Sequence, residues 1–499
     1  MSSLGGALLV CGTSSDAGKS LMATAICRAF ARRGLSVAPF KAMNMSLNSG
    51  VTVDGGEIAT AQLLQALASG VEAERVMNPV LLKPAGERAS QLVLLGRPDV
   101  VADATDFTAL RRRLRPLVLD ALSDLRARFD VVVIEGAGAA AEPNLLEDDF
   151  VNLGLAAAAD VDALVVGDID RGGVFAALYG TVALLPNELS RHIRGYVINK
   201  FRGDPALLAP AIEVLSERSG LPCLGIVPML GDLGLAAEDS LGLRFLLGGS
   251  APAPGGAPID VAVVALPHLA NFNDFDPLSL EPGVQVRFVT QPGALGDPDL
   301  VVVPGSKATV ADLSWLRAVG FADALARAGG RGSTLLGVCA GYQMLGTRIV
   351  DAVESAAGEV AGLGLFDVTT TFARKKVTRR RTGRWGDVAV AGYELHHGIP
   401  LGNGVPPWFR LEEAGREVDE GVADREAGRW GTSLHGIFEG DALRAAFLGE
   451  VARRRNKRFV PSSGSFSATR AAALDRLADA LEAAVSVDRL LELARLPGR

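Results

Sequence analysis

A chain of 499 residues, 48% apolar and 21% charged, has the material for roughly two to three packed domains and is no disordered polymer. Its 57 acidic residues against 50 basic ones leave a formal charge of −7, which argues against a general nucleic-acid binder. No stretch of about 18 apolar residues and no charged-then-apolar leader pattern stands out, so no membrane partner is expected. The four cysteines, Cys11, Cys27, Cys223 and Cys339, are far apart and form no Cys-x-x-Cys pair. That fits a reducing, cytoplasmic setting with neither a disulfide framework nor a zinc site.

Leu8–Cys11 reads as a strand, and Ser20–Arg33 as a helix that stops at Gly34. Between them lies Gly12-Thr13-Ser14-Ser15-Asp16-Ala17-Gly18-Lys19-Ser20. A phosphate cradle needs converging backbone N–H groups, glycine where the chain approaches the ligand, and a helix N-terminus. This stretch supplies all three. Gly12, Thr13, Ser14, Asp16, Ala17, Gly18, Lys19 and Ser20 are therefore nucleotide-binding candidates, with Lys19 reaching the β/γ-phosphates and the Ser20 hydroxyl binding Mg²⁺. The first glycine comes one residue early for the common Gly-x-x-x-x-Gly-Lys-[Ser/Thr] form, and Thr13 takes its place. A bland reading of the same residues is a tight strand–helix turn.

Val37–Phe40, Val131–Ile134, Leu164–Val166, Tyr196–Ile198 and Leu224–Val227 follow as short apolar strands separated by helices. They predict a parallel sheet covered on both faces. Ligands of such sheets bind at the carboxyl ends of the strands, so Glu135, Asp168 and Asn199 should line one crevice. Glu135 suits a metal ligand or a water-orienting base; otherwise it caps a loop. Asn199 could present its amide to a nucleotide base, or it is an ordinary turn residue.

Residues 248–258 form a Gly/Pro/Ala linker with nothing to bury. Alternation then restarts, with strands at Asp260–Leu266, Val284–Val289, Leu300–Val303 and Thr334–Val338. The fold class expected is α/β throughout: a P-loop parallel-sheet domain over 1–247, then a second α/β domain over 259–455. The basic stretch Arg374–Arg381 reads as a solvated loop or as a patch for an anionic substrate. Glu412–Asp424 reads as a polar loop. The tail, 456–499, reads as helices packed on the second domain.

Thr334–Val338 runs directly into Cys339, within Gly337-Val-Cys-Ala-Gly-Tyr-Gln343. A strand–turn–helix elbow there would display a thiol, with the Ala340 N–H placed for an oxyanion hole and a second donor from Gly305. A structural cysteine in a turn is the plain alternative. A thiol nucleophile needs a base. His435, in Thr432-Ser-Leu-His-Gly436, is the favoured one. His396 and His397 compete with it, and His192 and His268 fit ordinary loops.

Gly-x-Cys-x-Gly-x-Gln with a late histidine resembles the class I glutamine amidotransferase domain. The resemblance implies attack of Cys339 on the amide of L-glutamine and release of ammonia. Ile437 stands where most members carry a glutamate, so the group that orients His435 stays open: Glu439, Glu394, a backbone carbonyl or water. The early glycine and Glu135-Gly-Ala-Gly138 resemble the dethiobiotin-synthetase-like P-loop enzymes, which use ATP to phosphorylate a carboxylate. On that resemblance Asp54 becomes a further metal-ligand candidate beside Ser20 and Glu135.

From Cys11 to about Arg455 the chain resembles the cobyric acid synthase family. The strings that carry the resemblance are Pro39–Asn48, Met77–Pro84, Gly167–Phe175 and Asn199–Asp204. It implies ATP and Mg²⁺ as cofactors, and adenosylcobyrinic acid a,c-diamide, a corrinoid, as the acid whose b, d, e and g carboxylates are amidated. It also places Asp149 near the transferred phosphate. The corrinoid rests on the resemblance alone. The sister enzyme, cobyrinic acid a,c-diamide synthase, is the nearest alternative. A partitioning-type ATPase switch is more distant, since Thr13–Asp16 hold no extra lysine and such switches lack a glutaminase. A homodimer is left open.

Overall fold

The computed structural model describes residues 4–84, 89–103, 107–231, 258–402 and 404–496. The expected boundary at 247 and the linker up to residue 257 lie outside them. The chain divides into two compact units. The first gathers Met1–Met45, Thr52–Leu235 and Arg470–Arg499; the second gathers Ser46–Val51 and Ala236–Thr469.

The first unit is built on six strands: β1 (Gly6–Gly12), β2 (Val37–Phe40), β3 (Val131–Glu135), β4 (Asp162–Asp168), β5 (Ile193–Phe201) and β6 (Cys223–Pro228). Their order is β6-β5-β4-β1-β3-β2, and every pair is parallel. β1, β3 and β4 are buried along their whole length, which is why they are unbroken apolar runs in the sequence. Helices α1 (Lys19–Arg32) and α2 (Thr60–Ser69) follow in the same unit. A second, four-stranded sheet of Met43–Met45, Val80–Pro84, Ala89–Leu94 and Arg97–Asp103 was not anticipated.

The tail forms the expected helices, α3 (Phe466–Ala484) and α4 (Val487–Leu493). Their partner is not the expected one. Leu474, Leu477, Leu481, Leu490 and Leu491 share a core with Leu8, Ile26, Phe30 and Val37 of the first unit. Arg28 and Arg32 of α1 pair with Asp475 at 2.8 and 3.0 Å. Half-exposed pairs of this kind are worth under about 1 kcal/mol each. The apolar seam therefore decides the docking.

The second unit has a sheet of β7 (Ile259–Val264), β8 (Val284–Val289), β9 (Leu300–Val303), β10 (Thr334–Val338), β11 (Val422–Asp424) and β12 (Arg429–Thr432), in the order β8-β7-β9-β10-β12-β11. All neighbours are parallel except β11, which is antiparallel to β12. Beside it stands a sheet built on the hairpin Val368–Trp385 and Val388–Gly402. Arg374–Arg381 is thus mostly strand rather than loop. Glu412–Asp424 is also largely strand: Phe409–Glu413 pairs antiparallel with Arg416–Glu420. An antiparallel strand with a solvated face tolerates charge, so polarity was a poor guide in both places.

Leu490 is fully buried in the tail seam. Leu490→Ala should therefore destabilise the first unit by about 2–5 kcal/mol, read as a lower denaturant midpoint at an unchanged slope. A loss below about 1 kcal/mol would mean that the tail does not pack where it is described.

Candidate functional site

In the second unit, β10 ends at Val338 and Cys339 turns at φ 52°, ψ −111°, a conformation seldom taken by a residue other than glycine. The strain is held from several sides. The Cys339 N–H donates to the Thr432 carbonyl at 2.7 Å, and the Thr432 hydroxyl in turn donates to Glu420. The helix Ala340–Leu345 follows at once. It sits so close to β9 that a Cβ on Gly341 would lie 1.8 Å from the Val303 carbonyl oxygen, which forces glycine there. The elbow expected from the sequence is present.

His435 reaches the thiol from Leu434–His435, a short strand whose His435 pairs with Tyr393 of the long hairpin. The imidazole is buried and is both a hydrogen-bonding and a charge partner of Cys339. His396 is turned to Glu394 instead, and His397 to the Ala373 carbonyl. His268 pairs with Asp312, and His192 with the Val161 carbonyl. Gly305 lies beside the pair: a Cβ there would come within 3.1 Å of His435 Cε1.

The group that orients His435 is none of the four options left open by the sequence. Asp274 Oδ2 lies 2.6 Å from His435 Nδ1, and Asp274 Oδ1 accepts the Gly436 N–H at 2.8 Å. Asp274 is buried in the turn Phe272–Phe275 that follows β7. No local spacing in the sequence pointed to it.

Burial opposes a charged imidazole, but the charges of Asp274 and Cys339 and hydrogen bonds to both outweigh it. The His435 pKa is pushed up to about 10. Cys11 and Cys27, by contrast, are pushed up to about 12 chiefly by burial, as inert core thiols should be.

In the first unit the loop after β1 wraps the start of α1. Gly18 stands at φ 97°, and a Cβ there would lie 2.2 Å from Asn199 Nδ2. Asn199 donates that amide to the Ala17 carbonyl at 2.9 Å, so it braces the loop backbone. Lys19 Nζ donates to the Ser14 carbonyl at 2.8 Å. Lys200 bridges the Asp16 carbonyl and Asp168. The Thr13 N–H donates to Val166, and the Gly12 carbonyl accepts from Ala140. Asp168 and Asn199 stand side by side as parallel partners on β4 and β5, and Glu135 ends β3.

Glu135 is the hub of a buried hydrogen-bond network. Its Oε1 accepts from Ser20 Oγ and from Lys41 Nζ, each at 2.7 Å. Its Oε2 accepts from Gln65 Nε2 at 2.6 Å and faces Gln62 Nε2 at 3.5 Å. Lys41, Gln62 and Gln65 are buried residues that the sequence reading passed over. A hydroxyl and a carboxylate converging beside a glycine cradle are the oxygen donors a hard cation takes, so Ser20 and Glu135 fit Mg²⁺.

Two expected residues have other work. Asp54 pairs with Arg75 at 2.7 Å and accepts from Thr52 within its own turn. Asp149 accepts the N–H groups of Val151, Asn152 and Gly154, bracing the turn that leads into the helix Leu153–Ala159. Neither is joined to Glu135 by these bonds. Among the described residues no group of three His, Cys, Asp or Glu gathers as a metal cluster. None of the described helices is long and apolar enough to cross a membrane.

Residues 8–242 match the CobQ/CobB/MinD/ParA nucleotide binding domain, and residues 260–443 match the CobB/CobQ-like glutamine amidotransferase domain. Over 498 residues the chain is 50% identical to the cobyric acid synthase of Nocardia farcinica, covering 97% of this chain and 96% of the relative. It is 48% identical to that of Rhodococcus jostii over 98% of this chain and 95% of the relative. It is also 48% identical to that of Streptomyces coelicolor, over 98% and 96% respectively.

A folded pKa of about 10, above the unfolded value of about 6.5, gives stability that is full below about pH 6.5 and lost as pH rises through about 10. Asp274→Asn should therefore lower the His435 midpoint in an NMR titration. Its stability deficit against wild type should shrink as pH climbs from 7 past 10. An unmoved midpoint would show that Asp274 is not the partner that raises it.

Proposed function

The chain belongs to the cobyric acid synthase family, and on that premise we propose that it is an ATP- and glutamine-dependent amidoligase. The acid amidated is adenosylcobyrinic acid a,c-diamide, at its b, d, e and g carboxylates, with cobyric acid as product. The observation that carries this reading is the presence in one chain of the Cys339–His435–Asp274 array and of the Gly12–Ser20 loop over Glu135.

In the glutaminase half-reaction Cys339 Sγ attacks the side-chain amide carbon of L-glutamine. The N–H groups of Ala340 and Gly305 take the developing oxyanion. His435, charged after it has accepted the thiol proton, returns a proton to the departing nitrogen. Ammonia leaves, and water releases glutamate from the thioester. Asp274 keeps Nδ1 of His435 protonated and turns the opposite nitrogen to the sulfur, as the acid of a Ser-His-Asp triad does.

In the synthetase half-reaction Lys19 spans the β/γ-phosphates of ATP, and the loop N–H groups from Gly12 to Ser20 hold the phosphate oxygens. Ser20 and Glu135 would hold Mg²⁺, which offsets charge on the phosphates during transfer. The carboxylate of the acid takes the γ-phosphoryl group, and ammonia displaces phosphate to give the amide. A mass-spectrometric screen with ATP, glutamine and each corrinoid acid tests the substrate. Turnover of cobyrinic acid to its a,c-diamide in place of the expected acid would move the chain to the sister activity.

Cys339→Ala should abolish synthesis from glutamine while synthesis from added ammonium survives, because the ATP half needs only free ammonia. Glutamine-dependent synthesis within about tenfold of wild type would mean another nucleophile acts. Lys19→Ala should give the reverse pattern. Synthesis should fall at least ~10²-fold with either nitrogen source, the scale of one lost transition-state donor, while glutamine hydrolysis persists. Normal amide formation without Lys19 would refute the phosphate-loop role.

A further inference from the structure

Ser46–Val51 interrupts the first unit. The chain up to Met45 and from Thr52 onward belongs there, whereas these residues belong to the second unit. Within the second unit the segment is held at three points. The Ser49 N–H donates to Asn271 Oδ1 at 2.9 Å, the Tyr393 hydroxyl donates to the Ser49 carbonyl at 3.1 Å, and Arg380 Nε donates to the Val51 carbonyl at 3.0 Å. Asn271 Nδ2 also donates to the Tyr393 hydroxyl at 3.4 Å, which closes a ring of hydrogen bonds around Ser49. Ser49 and Asn271 are both buried, so these bonds face little competition from water.

Asn271 and Tyr393 also each reach the thiol site by a separate route. The Tyr393 ring is stacked on the His435 imidazole, with centroids 5.4 Å apart and planes at 27°. Asn271, at φ 54°, opens the turn Phe272–Phe275, and its carbonyl accepts the Asp274 N–H at 3.1 Å. Asp274 is the carboxylate on His435 Nδ1. One flank of the imidazole and the group at its far nitrogen are thus tied to a single backbone position, Ser49.

We propose that Ser46–Val51 is a positioning strap for the glutaminase, and that Asn271 and Tyr393 are the positioning residues through which it fixes His435. The proposal rests on the reading of Cys339 and His435 as glutaminase residues. Proton transfer through His435 is sensitive to placement, since an ångström of misplacement costs on the order of 10²-fold in rate. Loosening one support should cost part of that. The cost should fall on kcat, because the strap does not touch the glutamine amide.

The test is steady-state glutamine hydrolysis by the full chain with Tyr393→Phe, Asn271→Gly and the double variant. Phenylalanine keeps the stacked ring and removes only the hydroxyl. Glycine keeps the positive φ and removes only the amide. Each single variant should lose about tenfold in kcat with KM within about twofold of wild type. The double variant should lose no more than about twofold beyond the worse single, because both changes release the same node. Synthesis from ammonium should stay within about twofold in all three.

A kcat unchanged in both singles, a loss carried by KM, or losses that multiply in the double variant would each overturn the strap. So would a parallel fall in ammonium-dependent synthesis, the mark of general unfolding. Wild type and Cys339→Ala are run alongside. Equal hydrolysis by those two would refute the glutaminase reading itself and take the strap with it, an outcome separate from a failure of the strap alone.

Discussion

The thiol site depends on a hydrogen bond of 2.6 Å between Asp274 and His435, both buried. An imidazole buried without a partner would be neutral and free to rotate. With Asp274 on Nδ1 and Cys339 as its other neighbour it carries a proton over most of the accessible pH range. The carboxylate is fixed in turn by the Gly436 N–H, the backbone of the residue next to His435. Acid and base are therefore locked in register by one side chain, and no glutamate at position 437 is needed. Ile437 is free to be a core residue, and it is buried as one.

What the sequence made legible follows from how each element is buried. β1, β3, β4, β9 and β10 are covered on both faces, so their apolar runs stand out and their ends could be placed to within about two residues. Cys339, His435 and Ser20–Glu135 were legible because each sits at a strand end or in a glycine-rich turn. The long hairpin was not, because strands solvated on one face, such as Arg374–Arg381, resemble loops in composition. Asp274 was hidden by distance: 161 positions separate it from His435, and no local spacing marks it. The tail shows the complementary limit. Its helical period was plain, but period records only that a face is apolar. That Leu474 and Leu490 meet Ile26 and Phe30 is a tertiary fact.

Buried polar networks carry the same lesson in the first unit. Asn44 Nδ2 donates to Gln62 Oε1, and Gln62 and Gln65 both turn toward Glu135. In sequence these are unremarkable amides on a short strand and on α2. In the fold they satisfy a carboxylate that water cannot reach, and a buried polar network holds only when its members are paired in this way. Asn44 serves that network, while Ser49, close behind it in the chain, serves the second unit.

Of the three residues first matched to a metal, only Ser20 and Glu135 meet, with oxygens 2.7 Å apart. Asp54 is spent on Arg75, and Asp149 on three backbone N–H groups. Two protein oxygens suffice for Mg²⁺, which loses its waters reluctantly and is commonly held by one or two side chains with phosphate oxygens completing the octahedron. A cage of three carboxylates would suit Ca²⁺ better and would place excess negative charge beside a triphosphate. Lys41 on the same Glu135 oxygen works in the opposite direction, adding positive charge beside the carboxylate. On the proposed amidoligase reading, this donor set suits a cation that arrives with its nucleotide rather than one that resides in the protein.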